Sequence, residues 1–127
     1  DTQLTFSQEI QMDGAIIVST PQEVALMDVI RGIKMFEKLK VKILGLVNNM
    51  SYFIGDDGKK YSIFGDQGVM RTANEFNKDL LGEIPINADV GKFGDKGKPI
   101  VEAMPEHEIS KIYLNLAYKI KSQYLNN

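Results

Sequence analysis

The stretch Asn48-Asn49-Met50-Ser51 sets two side-chain amides and a hydroxyl directly behind an apolar run, Lys42 to Val47 (KILGLV). A side-chain amide carries donors and an acceptor together, so the cluster is equipped to hold a ligand by hydrogen bonds. The run before it reads as a buried strand. Open α/β sheets place ligands at the carboxyl ends of their strands. By residue type alone Asn49 reads as a turn former at a strand end, because Asn tolerates left-handed geometry.

Other residues are weaker candidates. Asp56-Asp57 offers two carboxylates, but adjacent carboxylates point apart and a calcium loop needs more ligands. With Gly58 behind it, Asp57 reads as a hairpin turn. Gly94-Asp95-Lys96-Gly97-Lys98 has the composition of a phosphate cradle. It lacks a strand before it and a helix starting at its lysine, so it reads as loop. His107, the only histidine, has no visible catalytic partner in the sequence and reads as a solvated residue in the first turn of a helix.

The elements that position these residues follow from periodicity. Gly14 to Thr20 has a continuous β-branched centre, Ala15-Ile16-Ile17-Val18, as expected of a strand covered on both faces. Pro21 suits a first helical turn and Thr20 its cap. The helix then runs to about Leu39, with Val24, Met27, Ile30, Ile33 and Phe36 as its stripe, widened by Val29 and Leu26. Strand, helix and second strand make a right-handed parallel βαβ unit. Residues 52–63 read as a β-hairpin, 66–78 as a helix, 80–86 as a short third strand and Gly91 to Pro99 as loop. A last helix starts near Pro105, with the core stripe Ile109, Ile112, Tyr113, Leu116, Ala117, Ile120 and Tyr124. Residues 2–11 read as a short helix. The whole is an α/β layer protein: three strands with crossover helices plus a hairpin.

The 127 residues fit one domain. A net charge of -2 with scattered lysines gives no footprint for nucleic acid. The apolar runs are too short to span a membrane. The chain has no cysteine, hence no disulfide, thiolate nucleophile or cysteine-held cluster, which fits the cytoplasm. It also has no phosphate-binding glycine loop. The opening Asp1-Thr2-Gln3-Leu4 without Met, and a three-stranded sheet with a bare edge, lead to the expectation of a piece of a longer polypeptide.

The segments VSTPQEVALMDVIRGIKMF, ILGLVNNMSYF, IFGDQG, LLGEIPI and GKPIV resemble, in order and spacing, the C-terminal half of the Mrp/ApbC/Nbp family of MinD-like P-loop ATPases. The likeness covers essentially the whole chain. Asp1-Thr2-Gln3-Leu4-Thr5 is similar to the segment after that family's Asp-Pro-Pro-Gly motif. The resemblance implies that residues 1–127 form the C-terminal part of one P-loop ATPase domain, with the hairpin as an insertion. The Walker A loop, magnesium ligands and switches would then lie in an N-terminal half.

It further implies ATP with magnesium as cofactor, a homodimer, and assembly or transfer of iron–sulfur clusters to apo-proteins. Asn49 matches the asparagine that reads adenine, whose N6/N7 edge suits an amide. Pro85, Ile86 and Asn87 match the loop on the other side of the base. Asp28 and Arg31 match the helix that approaches the dimer partner and its nucleotide. No catalytic residue and no metal ligand is assigned within the chain. Many family members carry Cys-x-x-Cys after NMSxF, holding a [4Fe–4S] cluster across a dimer. Here Ile54 to Lys60 stand in that place, with no thiolate to ligate one. The alternative from another class is a non-enzymatic MinD/ParA-like positioning or interaction module switched by ATP-dependent dimerisation.

Overall fold

The computed structural model describes residues 13–63, 65 and 67–125. The helix expected over 2–11 lies outside them, as do Phe64 and Asp66 of the IFGDQG segment. In chain order the elements are β1 (Ala15–Ser19), α1 (Glu23–Lys38), β2 (Ile43–Asn49), β3 (Phe53–Ile54), β4 (Lys60–Tyr61), α2 (Gly68–Glu75), β5 (Leu80–Ile84), α3 (Ala88–Asp95), α4 (Ile100–Ala103) and α5 (Glu108–Ile120). A π-helical turn, Lys121–Leu125, continues α5.

β1, β2 and β5 form a parallel sheet with β2 at its centre. The β-branched runs that identify β1 and β2 go into it as expected, because both faces of the centre are covered. Val29 and Ile33 of α1 and Val69 and Ala73 of α2 pack with Leu46 on one face. Ile112, Tyr113, Leu116 and Ile120 of α5 pack with Val47, Leu81 and Ile84 on the other. Neighbouring residues of β2 therefore feed opposite cores, as the pleat requires. At Gly45 the backbones come so close that a Cβ would lie 2.6 Å from Leu81 Cγ and 2.7 Å from the Asp79 carbonyl oxygen. Only a residue without a side chain fits there.

β3 and β4 form the expected hairpin. Gly58, at φ 77°, turns it, and its N–H donates to the Gly55 carbonyl at 2.9 Å. The Phe53 and Tyr61 rings stack with centroids 5.2 Å apart.

Several expectations are corrected. Residues 91–99 are not all loop, because α3 occupies Ala88–Asp95. Asn87 caps it by accepting the Asp89 N–H at 2.9 Å, and this local bond carries the helix over Gly91 and Gly94 despite their poor propensity. α1 is preceded by Gln22, which makes no side-chain cap bond. Thr20 bonds Gln22 Oε1 instead of a helix N–H. Val24 and Met27 are exposed, at 75% and 55%. Ile33 and Val29 of the expected stripe are buried, with Leu26 packed beside them. The last helix begins after His107, and the short α4 ahead of it had no periodic signature. Ala117 is exposed, and the side chain of Tyr124 lies outside the described residues. β1 pairs only with β2 and is an edge strand among the described residues, and its Val18 is 59% exposed on the sheet face.

Candidate functional site

The carboxyl ends of β2 and β5 diverge into two loops, and the space between them is the candidate site. Asn49 closes β2. Its Oδ1 accepts the Met50 N–H at 3.0 Å, which holds Met50 in the left-handed region at φ 56°. A non-glycine residue in that conformation costs roughly 1–3 kcal/mol, so the turn is kept by its surroundings. Ser51 N–H donates to the Ile84 carbonyl at 3.0 Å, and Ile86 N–H to the Tyr52 carbonyl at 2.6 Å. These two bonds carry the sheet's order past the ends of the strands and fix the spacing of the loops.

Between the loops lies a cavity of about 260 Å³ lined by Asn49, Met50, Ile84, Pro85, Ile86, Asn87, Val90, Gly91 and Tyr113. Drug-sized sites run from about 300 to 1,000 Å³, so this one has the scale of a single flat ring system. Its walls are mostly apolar, and the polar side chains among them are the two amides and Tyr113. Asn49 Nδ2 makes no hydrogen bond among the described residues. Asn87 Oδ1 is committed to capping α3, which leaves its amide nitrogen toward any ligand chemistry. The cavity thus offers donors of fixed origin and apolar surface to sandwich a ring.

The preceding residue, Asn48, is turned into the protein. It is 2% exposed and its Nδ2 donates to Ser51 Oγ at 3.1 Å. Its Oδ1 is buried without a partner, an uncommon and costly state. The alternation of a β-strand separates the roles of the two asparagines: Asn48 braces the turn, and Asn49 faces the cavity.

All four residues expected at a base, Asn49, Pro85, Ile86 and Asn87, therefore come together around one cavity. Asp28 and Arg31 do not join them. They pair with each other at 3.3 Å on the exposed face of α1 and border a separate open groove of about 720 Å³ beside β1. Tyr113 and Val90 were not legible as cavity residues. Tyr113 belongs to the α5 stripe, which reads as core, and Val90 lies in the stretch read as loop. The one available signal was Asn87 followed by Asp89, a helix-start pattern.

The weaker candidates are also settled by geometry. Both Asp57 oxygens are used inside the turn, Oδ1 by the Lys59 N–H at 2.9 Å and Oδ2 by the Tyr61 hydroxyl. The hydroxyl bond, with the backbone N–H second, holds the Asp57 carboxyl below its ordinary range. The same bond pushes the Tyr61 hydroxyl up. Tyr52 is also pushed up, first by burial and then by the Glu108 and Glu83 carboxylates. Lys60 lies 4.0 Å from the centre of the Tyr52 ring. His107 is not a solvated residue: its side chain is 15% exposed and stands 3.1 Å from Asp89. Among the described residues no three His, Cys, Asp or Glu side chains are grouped to hold a metal. No helix among them is long and apolar enough to cross a membrane.

The chain and its fold match known proteins. The chain is 41% identical to an iron–sulfur cluster carrier protein of Aquifex aeolicus, over 100% of its own length and 35% of the relative's. It is 46% identical to the Arabidopsis thaliana iron–sulfur protein required for NADH dehydrogenase, over 94% of the chain and 39% of that protein. The chain thus spans little more than a third of the curated relatives' length. A nucleotide-binding protein of Archaeoglobus fulgidus, solved in complex with ADP, superposes with a TM-score of 0.69 at 35% identity, covering 87% of this chain and 44% of that one. MinD of Aquifex aeolicus superposes equally well, at 0.69, with 21% identity over 95% of this chain and 48% of that one, which speaks for the fold alone. Residues 1–121 match the ParA family described as NUBPL iron-transfer P-loop NTPases, and the chain belongs to that family.

Proposed function

We propose that this chain is the base-recognition part of an ATP-binding protein that assembles or transfers iron–sulfur clusters. The observation that carries the reading is the cavity at the ends of β2 and β5, with the unpaired amide nitrogen of Asn49 on its wall. The Asn49 amide would donate to a ring nitrogen of adenine and accept from its exocyclic amine through the second lone pair of Oδ1. Pro85 and Ile86 would cover one face of the ring, and Asn87 would donate at its rim. The ADP complex of the Archaeoglobus relative supports a nucleotide, and the names of the curated relatives support the cluster as cargo.

The donor sets separate what this chain can hold. The two amides and the apolar walls fit a base. Magnesium and the phosphates need a glycine loop, its lysine and a hydroxyl or carboxylate ligand, and these are proposed to come from the rest of the domain. A [4Fe–4S] cluster does not fit, since the sequence has no thiolate. A homodimer in the cytoplasm is part of the same proposal, with the exposed Val24 and Met27 beside Asp28 and Arg31 on α1 as the surface offered to a partner.

The test is a titration of the 127-residue chain with adenosine, followed by amide NMR. Shifts centred on Asn49, Met50, Ile86, Asn87 and Gly91, and passed on only through the Ile86–Tyr52 bond to the hairpin, are expected, and they should be lost in Asn49→Ala. A spectrum unmoved at millimolar adenosine would rule the base pocket out.

A further inference from the structure

α3 forms one wall of the cavity through Val90 and Gly91, yet none of its side chains is fully buried. A helix of eight residues with two glycines has little intrinsic stability. Something other than core packing must hold it at the cavity.

The neighbouring helix supplies it. α5 is firmly seated: Ile109 is 1% exposed and Ser110 is fully buried. Ser110 Oγ lies within hydrogen-bond reach of the Ile100 and Met104 carbonyls at 3.1 and 2.6 Å. His107 stands at the start of this helix as its cap, with Nδ1 accepting the Ile109 N–H at 3.0 Å. A neutral ring that accepts at Nδ1 carries its proton on Nε2. That N–H points to Asp89 Oδ2, 3.1 Å away. Asp89 in turn gives its backbone N–H to Asn87 Oδ1 at 2.9 Å, and Asn87 lines the cavity. Three hydrogen bonds thus run without a break from the buried start of α5 to the cavity rim.

We infer that His107 is a positioning residue for the cavity: by bridging the first turns of α5 and α3 it holds the α3 wall, and with it Asn87, in place for the ligand. A plain helix cap needs only an acceptor at this position. The second nitrogen of an imidazole, and its reach to a carboxylate on another helix, are what a smaller capping residue lacks. The ligand side of this inference rests on the base-recognition reading; the mechanical side does not.

His107→Asn separates the two roles, since Asn caps well but is too short to span to Asp89. The experiment is amide hydrogen exchange on the ligand-free 127-residue chain, with adenosine titration alongside. In His107→Asn the amides of Gly91 to Asp95 should exchange roughly tenfold faster, about the effect of one hydrogen bond to a charged group. Those of Leu114 to Tyr118 in α5 should be unchanged. Asp89→Ala should loosen the same amides, and the double variant should add nothing beyond the larger single effect, as for two ends of one contact. Adenosine should bind His107→Asn several-fold more weakly. Unchanged exchange in α3, or strictly additive effects of the two substitutions, would overturn the inference. Loosened α3 amides with no adenosine binding by the unsubstituted chain would leave the brace standing and dismiss the base pocket.

Discussion

The backbone N–H of Ile86 donates to the carbonyl of Tyr52 at 2.6 Å, joining the loop after β5 to the residue that leads into the hairpin. The cavity wall and the hairpin therefore share one backbone tie. Lys60 adds to it from the hairpin side, lying over the Tyr52 ring and 4.0 Å from Glu83 on β5. A ligand that shifts Ile86 would be felt at Tyr52, and shifts in the hairpin amides on adenosine addition are the expected sign of this.

Asn49→Ala removes the amide from the cavity and the acceptor that holds Met50. Since the Met50 bond is exposed, the cost in stability should be about 1 kcal/mol or less. Adenosine affinity should fall about tenfold or more. Urea unfolding and NMR titration on the same variant distinguish this from general unfolding, in which both quantities would collapse together.

Two glycine substitutions should act with opposite sign. Gly45→Ala drives a Cβ against Leu81 and the Asp79 carbonyl and should destabilise by about 1–3 kcal/mol or more. Gly94→Ala meets nothing within 4 Å and lies inside α3, so it should stabilise by roughly 0.5–1 kcal/mol. Equal effects in urea unfolding would mean that the β2–β5 approach is looser than described.

The Asp57–Tyr61 bond sets a pH window for the hairpin. Asp57 is held below its ordinary value of 3.8, so its contribution is present above that value and lost as pH falls through the lowered one. Tyr61 is held above its ordinary value of 10.0, so its contribution is present below that value and lost as pH rises through the raised one. Hairpin amide shifts should stay flat between the two limits. Asp57→Asn should abolish the acid step while leaving the sheet's resonances in place.

No magnesium-dependent ATP turnover is expected of the 127-residue chain, because the glycine loop and lysine that cradle phosphates are not in its sequence. Phosphate release should remain at background. Turnover that disappears in Asn49→Ala would place the whole reaction here.

The sequence by itself determined the βαβ core. Runs such as Ala15–Val18 and Leu44–Val47 are apolar without alternation, as suits strands of a covered parallel sheet, although Val18 on the edge strand stays 59% exposed. It also determined the Asp57-Gly58 turn and the Asn-Asn cluster at a strand end, because these depend on local backbone geometry. Only the tertiary structure decided which amide faces the cavity and which is buried, since that depends on the pleat and on what lies across it. It likewise decided that Asn87 closes the site from 38 residues further along the chain, and that His107 meets Asp89 across two helices. Such contacts join residues whose local sequences carry no trace of each other. They exist because the sheet stacks β2 beside β5, and because Ile109 and Ser110 seat α5 where an imidazole can reach.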